Sequence, residues 1–127
     1  MTAGGEVTEI LEGAGSFEGL PDEEPFPGVR RRTFSSRGAT VSRYLFEPGA
    51  SFPLHSHPQE QITLIEEGSI EITVAGESTP LEGGSWSVVS PDVEHGITAG
   101  PDGARIVALV VPRRERPDEY SLSKEAP

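Results

Sequence analysis

The chain has 127 residues, no cysteine and a formal net charge of -11 at pH 7. That length suits one domain with one core, and the absence of cysteine excludes disulfides, thiolate metal ligands and a cysteine nucleophile. The acidic balance, with no stripe of basic and aromatic residues, excludes nucleic acid as the expected partner.

Seven of the 21 carboxylates (Glu6, Glu9, Glu12, Glu18, Asp22, Glu23, Glu24) fall in residues 1–25, which hold no Lys or Arg, so residues 26–127 carry only -4. With five glycines among the acids, residues 1–25 read as a loosely ordered, solvated arm. Pro25, Pro27 and Gly28 end it, and the folded region is expected over 26–115. Val29 to Phe34 and Thr40 to Phe46 have strand character, joined by a turn near Ser35, Ser36, Arg37 and Gly38. The run Arg30, Arg31, Arg32 reads as an edge strand with outward charges. Pro48 and Gly49 make the next turn, and a strand carrying His55 and His57 follows.

Glu66 to Ser69 are expected to turn the chain into Ile70, Ile72 and Val74, which alternate with Glu71 and Thr73 as on a half-buried strand. Ala75, Gly76 and Glu77 turn again, and Leu81 opens a further segment. Ser85 to Ser90 place Trp86, Val88 and Ser90 on one face before Pro91 to His95 break the strand. Ala104 to Val111 is apolar on both faces, which predicts cover by another sheet or a second subunit. Residues 116–127 read as a peripheral tail. No apolar run approaches the roughly 20 residues of a membrane span, and no basic segment precedes an apolar one at the N-terminus, so no membrane partner and a soluble, cytoplasmic protein are expected. Many short strands with Gly- and Pro-bearing turns predict an all-β antiparallel sandwich or barrel.

Strand parity puts His55, His57 and Gln61 on one face, with Glu60 on the other unless a bulge intervenes. Imidazole nitrogen is the commonest protein ligand for transition metals, and two on one strand are placed for chelation. All three histidines of the chain, His55, His57 and His95, lie near this region or in the Pro91 to His95 break.

These residues carry a resemblance. Gly49, His55, His57, Gln61 and Gly68, at successive separations of six, two, four and seven, resemble the first signature motif of the cupin superfamily. Gly84 through Pro91 to His95 is similar to the second. The resemblance implies an all-β double-stranded β-helix of jelly-roll type, a cupin barrel, with one divalent transition metal (Fe, Mn, Ni, Cu, Co or Zn) held by His55, His57, Gln61 and His95. Gln61 stands where the commonest pattern has glutamate, which leaves more positive charge on an ion, and Val93 stands where many members have glycine. Four protein ligands leave one or two open positions for a small-molecule ligand or substrate. Phe46, Phe52 and Trp86 are candidate pocket walls or plain core, and Arg43 is a candidate carboxylate clamp or a surface residue.

Cupins that linearise unsaturated uronates look similar around His55 to Gln61. Of the Asp, Phe and Arg at the end of their last strand, aligned here with Ala108, Val110 and Arg114, only the arginine survives. That lowers this activity, because the acid/base carboxylate is missing. The resemblance implies a metal-dependent enzyme, dioxygenase-like or isomerase-like, or alternatively a non-catalytic metal-anchored binding or sensing module; a metal-free structural protein is a third reading. It also implies a homodimer, with the Ile62 and Leu64 side of the histidine strand and Ala104 to Val111 as the pairing surface. The ordinary histidine pKa predicts that metal leaves as pH falls through about 6.

Overall fold

The computed structural model describes residues 7–116 and 118–123. After a 3-10 turn at Phe17–Gly19, the strands are β1 (Asp22–Phe26), β2 (Val29–Ser35), β3 (Thr40–Phe46), β4 (Ser51–Ser56), β5 (Glu60–Val74), β6 (Glu77–Glu82), β7 (Trp86–Val89), β8 (His95–Val111) and β9 (Ser121–Leu122). Every strand pairing is antiparallel. No helix is long and apolar enough to cross a membrane.

Two long strands organise the barrel. The first halves of β5 and last halves of β8 pair with one another in a layer that continues to β7 on one side and to β3, β2 and β1 on the other. Their other halves pair again in a second layer, completed by β6, β4 and β9. The sheet therefore curls over on itself, as expected for a jelly-roll barrel. The expected turn at Glu66 to Ser69 is instead a bend within β5. Its register against β8 slips between Ile65 and Glu67 and between Gly68 and Ile70, the way a bulge steers one strand between layers. Gly68 has φ +77, and a Cβ there would lie 2.0 Å from the Gly103 carbonyl oxygen.

The shorter turns lie where the sequence puts them. Ala75 and Gly76, both with positive φ, form the two-residue link between Val74 and Glu77, the backbone required by a tight hairpin. Phe26, Phe52, Ile70, Ile72, Ile97 and Ala99 belong to an apolar core, joined by Phe46, Ile65 and Ile106. The first layer also carries a polar inner face: Ser35, Thr40, Ser42, Gln61 and Thr63 are all buried. These hydroxyls are satisfied pairwise, Ser35 with Thr40 and Thr33 with Ser42, each at 2.7 Å, so the floor costs little to bury.

Three expectations change. Residues 7–25 are packed rather than loose: Glu9 bridges to Ser35, Phe17 lies 6.2 Å from Phe34, and β1 pairs with β2. Its acids meet the arginines, Asp22 with Arg30, Glu23 with Arg31, Glu18 with Arg43 and Glu9 with Arg113. Consequently β2 is flanked on both sides and is no edge, and Arg31 points inward, only 3 % exposed. The segment beyond residue 115 is not peripheral either, since β9 pairs with β4 at His55 and Ser56. On Ala104 to Val111 the inner residues Ile106, Ala108 and Val110 are buried, whereas Val111 on the outer side is exposed.

The bend at Gly68 yields a direct test. Gly68→Ala combines a left-handed backbone with a backbone clash and is expected to cost more than about 2 kcal/mol. Gly76→Ala meets the same φ sign in open space and is expected to cost about 1 kcal/mol. Chemical denaturation of both variants checks the ranking.

Candidate metal centre

The site is built from the end of β4, the link to β5, and the start of β8. His55 lies on β4, His57 follows it directly, and His95 opens β8 opposite His55 in register. All three are buried, and one nitrogen of each lies within 4.8 Å of the others.

The backbone decides which nitrogens these are. His55 Nδ1 lies 2.8 Å from the Pro53 carbonyl, His57 Nδ1 3.0 Å from the Gln59 carbonyl, and His95 Nδ1 2.8 Å from the Val93 carbonyl. A carbonyl only accepts, so each Nδ1 must carry the proton and each Nε2 is left with its lone pair. Gln61 adds a fourth donor atom. Its Nε2 donates to Thr63 Oγ1 at 3.0 Å, which turns Oε1 toward the histidines, 3.1 Å from His57 Nε2 and 3.3 Å from His95 Nε2. Three lone-pair-bearing atoms thus face one another with no proton between them. That arrangement repels itself until a cation occupies it, and carbonyl-oriented imidazoles are the usual support of metal ligands. The three-histidine cluster suits a divalent metal.

Burial keeps the imidazoles neutral. It pushes His55 down to about 3, with His95 beside it adding to the effect, and His95 down to about 4. His57 is lowered too, by burial and then by the charge of Arg114. The expectation that protons displace metal near pH 6 is therefore corrected downward, because the folded protein withholds the protonated state.

The other candidates separate. Phe52 is buried with its ring 4.5 Å from that of His55 and walls the cluster. Phe46 is buried one ring further away, 6.0 Å from Tyr44. Trp86 is 68 % exposed; it sits opposite Leu64 on β5 and takes no part in the interior. Arg43 binds Glu18 and lies 5.1 Å from the Phe17 ring, held to the outer surface by the arm. Glu60 is exposed.

Sequence reasoning missed Tyr120, whose ring lies 5.5 Å from His55 and 5.4 Å from Phe52. It also missed buried Gln59, whose Nε2 donates to Glu119 at 3.3 Å. Arg31 and Tyr44, opposite one another on β2 and β3, are buried as well. The alternation of Val29, Arg31 and Ser35 held the signal for Arg31; nothing local marked Tyr120.

Comparison with known proteins adds the following. The family model described as Cupin domain matches residues 42–112. The chain is 28 % identical over 85 residues to the polyketide synthase CurC of Streptomyces cyaneus, covering 65 % of this chain and 55 % of that protein. Thus it spans about half the length of that curated relative. Among solved structures, an RmlC-like cupin from Shewanella frigidimarina superposes with a TM-score of 0.75 at 26 % identity, covering 82 % of this chain and 94 % of the other. KdgF from Halomonas sp. superposes at 0.72 with 25 % identity, covering 80 % and 97 %.

Two measurements address the cluster. Thr63→Val frees the Gln61 amide and is expected to weaken metal affinity about 10- to 100-fold. His57→Ala should lower occupancy far more than Glu60→Ala, and equal losses in elemental analysis would mean the ligand register is wrong. As for pH, the unfolded chain takes protons on its histidines below about 6.5 while the folded one does not. Metal-free protein should therefore lose melting temperature from pH 6.5 to about 5.5, a window above most carboxylate titration, and His95→Asn should flatten that slope.

Proposed function

The chain belongs to the cupin domain family, its match covering residues 42–112, and on that premise we propose that it is a metal-dependent enzyme acting on a small oxygen-rich molecule, with dioxygenase-like or isomerase-like chemistry. His55, His57, His95 and Gln61 are the proposed ligands. The convergence of unprotonated Nε2 atoms with the Gln61 oxygen carries this reading. A divalent transition metal there, drawn from Fe, Mn, Ni, Cu, Co or Zn, would act as a Lewis acid toward a bound substrate oxygen.

The chain's own residues define what kind of substrate fits. Phe52 and Tyr120 exclude water on one side of the histidines, while the hydroxyl-lined inner face of β2, β3 and β5 offers hydrogen bonds on another. Glu60, the carboxylate next to the ligands in sequence, faces outward. That favours a substrate that arrives already ionised and needs no carboxylate base. The same observation favours a second reading, a binding or sensing module without turnover.

Oxygen uptake with enediols or flavonols, after reconstitution with Fe, Mn, Ni or Cu, tests the oxygenase version. Product with at least one metal is expected; ligand-dependent thermal shifts without product under every metal would instead leave the binding module.

Homodimer formation belongs to this proposal. The arm covers the outer face of β3 at Arg43, but Leu64, Trp86, Val88 and Val111 beyond it are exposed on β5, β7 and β8. A contiguous apolar face of this kind is what a two-fold pairing buries. Light scattering at micromolar concentration should give a dimer for the parent and a monomer for Trp86→Glu combined with Leu64→Glu.

A further inference from the structure

β9 consists of two residues, both exposed, near the end of the segment 118–123. A ladder of that length holds little by itself, yet the segment is tied to the protein at each place that carries a histidine of the cluster. Leu122 pairs with His55 on β4, and the Ser123 N–H donates to the Leu54 carbonyl at 2.9 Å. Ser123 Oγ donates to Oε2 of Glu94, the residue before His95, at 2.5 Å. Glu119 Oε1 accepts from Nε2 of Gln59, two residues after His57, at 3.3 Å. The Tyr120 ring lies against His55 and Phe52, at 5.5 Å and 5.4 Å.

The Glu119 contact reaches furthest. Gln59 is 2 % exposed, and its Oε1 has no hydrogen-bond partner among the described residues, so the Nε2 bond to Glu119 is what orients the amide. The backbone carbonyl of the same Gln59 accepts from His57 Nδ1 at 3.0 Å and thereby decides which His57 nitrogen keeps its lone pair. Residues 57–59 lie outside both β4 and β5, so no strand ladder fixes that carbonyl. Glu119 is itself braced, because the Glu115 N–H donates to the same Oε1 at 2.8 Å. One carboxylate oxygen thus joins the chain just beyond β8 to the link that carries His57.

We propose that residues 118–123 are a positioning strap for the histidine cluster, in which Glu119 acts through Gln59 to aim His57, and that an ion in the cluster tightens the strap in return. This deepens the reading of the cluster as a metal centre and rests on it. With the strap undocked, His57 loses the fixed carbonyl that selects its tautomer, and binding must first restore that order, which lowers affinity. The return effect is required by linkage: whatever factor strap docking adds to metal affinity, the metal adds to strap docking. A segment exposed along β9 and held by a few hydrogen bonds and one ring opens at low free energy, so the coupling has room to act.

Two substitutions in the full chain separate the bond at Glu119 from its charge. Glu119→Ala is expected to weaken Zn about 10-fold in competition with a chelating dye. Glu119→Gln keeps an acceptor oxygen in the same place and is expected to recover most of that loss. Nitrogen-15 NMR of the imidazoles, in metal-free protein above the ordinary histidine pKa, should show His57 as the single Nδ1–H tautomer in the parent and as a mixture in Glu119→Ala, with His95 alike in both. A merely structural loss would lower the melting temperature and leave the tautomer alone. Zn should slow hydrogen exchange of the Ser123 N–H in the parent about 10-fold. Equal Zn affinity of parent and Glu119→Ala, an unchanged His57 tautomer, or an equal loss in Glu119→Gln would each overturn the positioning role, and Ser123 exchange indifferent to Zn would overturn the return coupling. A parent that binds no divalent metal would overturn the metal centre instead, and the tautomer measurement would still decide what Glu119 does for His57.

Discussion

Three hydrogen bonds between histidine Nδ1 atoms and nearby backbone carbonyls set the character of this protein. Each acceptor is two residues from its histidine in sequence, at Pro53, Gln59 and Val93, so the tautomer is fixed by local backbone shape. The lone pairs that remain are then aimed by the barrel, which brings β4 and β8 together at His55 and His95. Neither level suffices alone. Loose histidines on a surface would choose their tautomers freely, and a barrel without those carbonyls would hold imidazoles of undefined direction.

The interior divides its labour between two materials. On one side stand aromatic rings, with Phe52 between Phe26, Tyr44, His55 and Tyr120. On the other, buried hydroxyls and the Arg31 guanidinium line β2 and β3. The aromatic side lowers the local dielectric and keeps the histidines neutral; the polar side gives a ligand something to bond. Had the whole interior been apolar, nothing beside the cluster could have bonded a polar ligand.

The histidine cluster was legible because its signals are local. His55, His57 and Gln61 are expected on one strand; a link at residues 57–59 separates β4 from β5 instead, and the three meet because both strands pair with β8, whereas the Ala75-Gly76 hairpin follows from residues that tolerate positive φ. The misreadings share a physical origin in contacts between segments far apart in sequence. Arg31 looked like one of three surface charges because Glu23 and Tyr44, which make its burial tolerable, lie on other strands. Glu66 to Ser69 have the composition of a turn, yet pairing with β8 on both sides of the bend carries β5 through them. Residues 121–122 are too short to announce a strand, and their order comes from the β4 backbone beside them. Trp86 looked like core by its chemistry, but its alternation places Ser87 and Val89 inward and leaves the indole outside.

Because β5 and β8 pass through both layers, Gln61 and His95 belong to different ones: Gln61 lies between Val110 and Val89 in the first, and His95 between His55 and Val74 in the second. An ion gripped by both would be a rivet through the two walls, and prying the walls apart would mean pulling its ligands away. Folding equilibrium and metal affinity then become two readouts of one quantity. A substitution on the far outside of the barrel that loosens the walls will register at the metal without touching a ligand.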